Sequence, residues 1–153
     1  MKKFDATHRS GCPINLAVEV FGDKWSLVIL RDMIFGGRRH FRELLLRSEE
    51  GIASNMLADR LKTLVEEGVL RKDAYQDRPL RHEYRLTEKG LALHPVIMAI
   101  VHWGDEFYAG EAGPPLLHRH RACGCDFTPV TTCSECGGAV SARDVEVRPG
   151  SGL

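Results

Sequence analysis

A mainly helical chain with one small β-hairpin, the α+β class, is predicted by three observations. Apolar residues recur at helical spacing through four segments before residue 70. Two strand-like runs then flank a proline-containing turn. A longer apolar-striped segment follows, ahead of a cysteine-rich end. At 153 residues the chain suits one domain of ordinary size with a small appendage, and a core can form without disulfide staples.

Each element has its own warrant. In "PINLAVEVFG" Ile14, Ala17, Val18 and Phe21 share one helical face, with Pro13 suited to the first turn and Gly22 to the C-terminal cap. "DKWSLVILRDMIFGG" starts at Asp23 as N-cap, carries Trp25, Val28, Ile29, Asp32 and Met33, and stops at Gly36-Gly37. "RRHFRELLLRSEEG" repeats the helical pattern through Phe41, Leu44 and Leu45, ending before Gly51. "IASNMLADRLKTLVEEG" buries Leu57, Leu61, Leu64 and Val65 and leaves Asn55, Asp59, Arg60, Lys62 and Thr63 polar. "VLRKDAYQ" and "HEYRLT" read as strands joined by "DRPLR". Thr87 then caps a helix running to about Gly110, with Leu93, Ile97, Ile100, Gly104 and Phe107 on one stripe and Pro95 kinking or restarting it. Trp25, Met33 and Trp103 are read as core rather than as a ligand pocket, and His94 and His102 as packing or surface.

Domain organisation follows: 12–110 as one folded domain, 111–117 as a linker rich in glycine and proline, and 118–147 as a small Cys/His tail. No internal repeat and no low-complexity tract is found. The first residues lack the apolar run of a secretory signal, and nothing approaches the run of about eighteen apolar residues that a membrane helix needs. A cytoplasmic protein is expected, with no membrane partner. There clustered cysteines serve more often as metal ligands or redox sensors than as disulfides.

The 21 basic and 21 acidic residues cancel, so total charge gives no argument for nucleic acid and local placement must. No glycine-rich phosphate loop, serine elbow or paired carboxylates point to an enzyme, and no organic cofactor is expected. Three helices, an amphipathic helix and a hairpin are the order of a winged helix-turn-helix, in which the helix before the hairpin enters the major groove of double-stranded DNA. Candidate contacts are Ser54, Asn55, Asp59 and Lys62 on that helix, Arg78 and Arg81 at the wing turn, and Arg38 and Arg39 beside the third helix. Asp59 has an alternative task, holding Arg60 or Lys62 in place.

The segment from Cys12 to Gly104 resembles the HxlR family of bacterial transcriptional regulators, relatives of the MarR-type winged helices. The resemblance is carried by Cys12-Pro13, Gly22-Asp23-Lys24-Trp25, Phe41-Arg42-Glu43-Leu44, Leu57-Ala58-Asp59-Arg60-Leu61-Lys62, Glu83-Tyr84, Leu86-Thr87-Glu88-Lys89-Gly90 and Trp103-Gly104. It implies a homodimer on a palindromic operator, joined through the N-terminal and post-wing helices, with repression as the usual mode and a small molecule or electrophile as the release signal. The family usually has serine where Ala53 stands, so Ser54 is a candidate cap, shifted by one residue. Family members also sense oxidants with an N-terminal cysteine. Cys12 fits that place, at a helix start where the dipole favours negative charge; the bland reading is a small apolar residue in the dimer contact.

The tail holds two knuckle phrases, "HRACG" and "CSECG". In each, two ligand-type residues at x2 spacing precede a glycine that can turn the backbone around a bound ion. A structural zinc on His120, Cys123, Cys133 and Cys136 is expected, with Cys125 as an alternative ligand and His118 as a further candidate. Iron in an all-cysteine site is a lesser reading. The alternative function is a zinc- or iron-dependent redox or protein-interaction module that uses the winged helix as a docking scaffold.

Overall fold

A computed structural model describes residues 12–151. Its elements run α1 (Pro13–Phe21), α2 (Lys24–Ile34), α3 (Phe41–Leu46), α4 (Ser54–Glu66), β1 (Leu70–Asp77), β2 (Leu80–Leu86), α5 (Glu88–Leu91) and α6 (His94–Tyr108). The chain forms two compact units divided inside α6, between Ile97 and Met98. Burial explains the place: Ile97, 3% exposed, belongs to the core, whereas no described residue after Met98 is buried.

The first unit is built around α4, which packs against α1, α2, α3 and β1. Ile29, Leu30 and Met33 of α2, Leu44 of α3, Leu57, Leu61 and Leu64 of α4, and Val69 and Leu70 make the core. Helix starts follow the expected caps. The Asp23 carboxylate accepts from the N–H groups of Trp25 and Ser26, and the Thr87 hydroxyl accepts from Gly90 N–H. Burial pushes the Asp23 carboxyl upward, but the Ser26 hydroxyl and N–H, and then Arg60, outweigh it and hold it below its ordinary value. Gly90 is required for another reason: a Cβ there would stand 2.3 Å from the Val69 carbonyl oxygen.

Three expectations are corrected, and a fourth, that Pro95 kinks or restarts the post-wing helix, is borne out. The third helix is only six residues long, because His40 and Glu43 form a capping box that fixes its start and Arg47 closes it. Ser54 is the first residue of α4 and not its cap; Ala53 occupies the cap position without a side-chain bond. The post-wing segment is two helices, α5 and α6, with Pro95 in the first turn of the second, where its missing N–H costs nothing. Trp103 is not core but 55% exposed, beside Phe107 and Tyr108 at ring separations of 5.3 and 5.4 Å. Met33 is buried as expected, and Trp25 is half-buried beneath the Lys24 ammonium.

β1 and β2 pair antiparallel from Leu70 opposite Leu86 to Asp77 opposite Leu80, so only Arg78 and Pro79 form the turn. The register slips between Ala74 and Gln76, which makes Tyr75 a bulge residue. Tyr84 N–H donates to the Arg39 carbonyl at 2.7 Å, tying the hairpin to the chain entering α3.

Candidate nucleic-acid interface

The two faces of α4 are separated by its apolar spacing. Leu57, Leu61 and Leu64 are at 0% exposure, which forces Ser54, Asn55, Ala58, Asp59 and Lys62 to the opposite, solvent-facing side. Asp59 pairs with Arg60 at 3.1 Å, and Arg60 also reaches Asp23 at 3.6 Å. The alternative task read for Asp59 is therefore the one its geometry shows, while its side chain stays 60% exposed. Lys62 lies 3.9 Å from Glu66 in an exposed pair that contributes little, so its ammonium is available to an anion.

Charge along the hairpin is sorted by position. Near its base Arg71 pairs with Asp73 at 2.9 Å, and Arg85 pairs with Glu83 and Asp73. At the tip Arg78 and Arg81 are exposed, and among the described residues neither enters an ion pair. Gln76 Nε2 donates to the Arg78 carbonyl at 2.8 Å, which fixes the turn that presents them. Two exposed guanidiniums therefore stand at the end of the wing, a placement that suits phosphate.

Arg38 and Arg39 separate. Arg38 Nη1 donates to Asp32 at 2.6 Å and to the Arg47 carbonyl at 2.7 Å, so this end of the guanidinium is used inside the fold. The Arg39 side chain is exposed. Its backbone N–H donates to Glu43, whose carboxyl is lowered to about 2 by that bond first, then by the His40 N–H and ring.

Sequence reasoning missed a groove between the start of α3 and the wing. It encloses about 580 Å³ and is lined by His40, Arg42, Arg47, Tyr75, Arg81 and His82 among others. The bulge at Tyr75 builds one wall by setting its ring edge-on to His40 at 4.9 Å. No signal in the alternating strand pattern marks that bulge, whereas exposed Arg42, in the first turn of a helix beside the wing, was open to the same reasoning as Arg39.

Two predicted sites lie elsewhere. Cys12 is exposed and occupies the N-cap position of α1, with Pro13 following. In the tail His120 Nδ1 is 3.3 Å from Cys123 Sγ. The Cys133 thiol is held below its ordinary value by the N–H groups of Cys136 and Glu135 and then by the Cys136 thiol. Cys125 donates to the Cys123 carbonyl. Among the described residues no three His, Cys, Asp or Glu side chains gather at one point.

Comparison with known proteins bears on the helix-turn-helix segment. The chain is 40% identical over 150 residues to the HTH-type transcriptional regulator Rv3095 of Mycobacterium tuberculosis, spanning 97% of this chain and 93% of that one. It is 34% identical over 99 residues to the HTH-type transcriptional regulator YdeP of Bacillus subtilis, spanning 63% and 74%. Among solved structures, PA1607 matches with a TM-score of 0.78 at 33% identity over 92% of this chain and 96% of that one. The oxidized redox regulator HypR matches with a TM-score of 0.57 at 32% identity, over 62% and 96%. Residues 20–112 match the HxlR-like helix-turn-helix family, and the chain belongs to that family of DNA-binding transcriptional regulators.

Proposed function

We propose that this protein is a sequence-specific repressor that binds a palindromic operator as a homodimer and leaves it on a small-molecule or electrophile signal. The observation that carries the reading is the polar face of α4, with Ser54, Asn55 and Lys62 exposed, together with a wing at whose tip stand two exposed arginines that pair with no acid among the described residues. Base edges would be read by Ser54, Asn55 and the outer oxygen of Asp59, an acceptor suited to a cytosine amino group. Phosphates would be held by Lys62, Arg39, Arg78 and Arg81.

Two chains are required by this reading. Ile14 and Val18 on α1, and separately Ile100, Trp103 and Phe107 on α6, are between 46% and 74% exposed, apolar surfaces of the kind a second copy would cover. The release signal would act at Cys12, exposed and accessible to an oxidant or electrophile. Similarity to HypR, a redox regulator, supports that part. Among the described residues no helix is long and apolar enough to cross a membrane.

The test is binding to duplex DNA from upstream of the protein's own gene, followed across a salt series. Arg81→Ala is expected to weaken operator and random duplex alike and to lower the salt slope by about 1. An unchanged slope removes the phosphate role, and failure to bind any duplex at low salt removes the whole reading. Treating wild type and Cys12→Ser with a quinone on the same operator decides the signal. Identical release curves end that idea.

A further inference from the structure

The groove between α3 and the wing joins positive charge to an aromatic wall. On α3 the burial of Leu44, 2% exposed, decides which side meets the core. Arg42 with Leu46, and Glu43 with Arg47, each pair four residues apart, form two adjacent rows that line the groove. On the wing, Ala74 pairs with His82 and Gln76 with Arg81, so the bulged Tyr75 stands against the step between Arg81 and His82. The Tyr84 N–H bond to the Arg39 carbonyl holds the two walls together.

Three guanidiniums line this groove without an acid to match them. Arg42, Arg47 and Arg81 are exposed, and among the described residues none of them enters an ion pair. The acid in the lining, Glu43, is already engaged: its Oε2 accepts from the Arg39 and His40 N–H groups and meets the His40 ring at 3.0 Å. Glu83, 4.0 Å from the same ring, is held by Arg85. Like charges gathered in a groove raise its potential, and the anion that lowers it has to come from outside. A guanidinium fork matches the two oxygens of a carboxylate.

The rest of the lining says what else that anion carries. Tyr75 stands edge-on to the His40 ring, and Leu46, 67% exposed, lines the same groove. A bare anion would leave these surfaces in water, whereas a planar ring would cover them and meet the aromatic side chains in offset or edge-on contact. A duplex backbone offers sugars and phosphates here, with its bases stacked away inside, so Tyr75 and Leu46 would find no partner in it. The volume of about 580 Å³ falls within the roughly 300–1,000 Å³ of small-ligand sites.

We propose that this groove binds one small aromatic carboxylate per chain, its carboxylate among Arg42, Arg47 and Arg81 and its ring against Tyr75 and Leu46. A consequence follows that rests on the operator reading above. Arg81 is a phosphate contact in that reading, so a bound carboxylate takes Arg81 from the duplex and acts as a release signal separate from Cys12.

The test titrates the full-length protein with naphthoate by calorimetry, without DNA, so its outcome does not depend on the operator reading. Saturable binding at one site per chain is expected, about tenfold weaker in Arg42→Ala and in Tyr75→Ala. If Tyr75→Ala disturbs the hairpin, Tyr75→Leu, which keeps an apolar side chain but no ring, should show the same loss. The neutral naphthamide and the ringless-face analogue cyclohexane carboxylate should both bind more weakly than naphthoate. No saturable binding at millimolar naphthoate overturns the site, and so does equal affinity in wild type and folded Arg42→Ala. Displacement of naphthoate by an equal concentration of inorganic phosphate overturns the role of the ring and leaves a plain anion site, such as a DNA phosphate would fill. Added to a protein–duplex complex, naphthoate should then release the duplex from wild type and not from Arg42→Ala. Failure to bind any duplex sinks the operator reading and leaves the calorimetric result standing.

Discussion

Arg38 and Arg39 are neighbours of the same charge, yet only Arg39 is exposed. The difference is made by Asp32, 6% exposed on α2, which takes Arg38 at 2.6 Å and Arg31 at 2.8 Å. Arg31 also grips Glu50, and these bonds, the one to Glu50 first, hold its guanidinium above its ordinary value. Removing Asp32 takes a hydrogen-bonded acceptor from two part-buried guanidiniums, so Asp32→Ala is expected to cost about 1–3 kcal/mol. Urea unfolding checks it as a lower midpoint at unchanged slope. Arg39→Ala should leave that midpoint in place and weaken duplex binding. If Arg38→Ala instead behaves like Arg39→Ala, stable but weak on DNA, the division of labour drawn from Asp32 is wrong. From sequence the two arginines form one basic cluster, because the partner that separates them lies across a turn and on another helix.

At the scale of elements, α3 depends on a small polar device. Glu43 Oε2 accepts from the N–H groups of Arg39 and His40, each at 3.2 Å, and meets the His40 ring at 3.0 Å. Its carboxyl thereby falls from the usual 4.5 to about 2. A carboxylate depressed in the folded state stabilises it above the unfolded pKa, and that contribution is lost as pH falls toward the folded one. Wild type should therefore melt above Glu43→Gln at neutral pH, and the gap should close between about 4.5 and about 2. Melting curves of both proteins across that range test it, and a gap independent of pH would sink the assignment. Helix starts marked by Asp23 and Thr87 were legible because their side chains are standard caps. The short α3 was not, since histidine at a cap position gives no such signal. The Tyr75 bulge was also hidden: an inserted residue leaves the strand composition unchanged while moving a ring to a new wall.

For the whole molecule, the two units differ in kind. The first has a core drawn from most of its elements; in the second, α6 from Met98 onward and the tail leave Trp103, Phe107, Tyr108, Leu116 and Leu117 at 55% exposure or more. Periodicity predicts an apolar stripe on α6 but not whether this chain or another covers it, which is how Trp103 came to be read as core. If a second copy covers it, Trp103→Asp turns a dimer into a monomer in sedimentation and weakens operator binding, because the half-sites no longer share one binding event. Unchanged sedimentation and affinity would remove the stripe from the interface. The order of elements, the recognition helix and the wing were legible because each rests on local spacing; the backbone bonds that tie one element to another were not. One such bond reaches further than its size. Because Tyr84 N–H is fastened to the Arg39 carbonyl, the backbone under Arg39 and the strand that leads back to Arg81 form a single gauge. On the DNA-binding reading proposed above, the spacing of the backbone under these two cations would be set before any duplex arrives, and a groove of another width would be met at a cost in shape, without a base being touched.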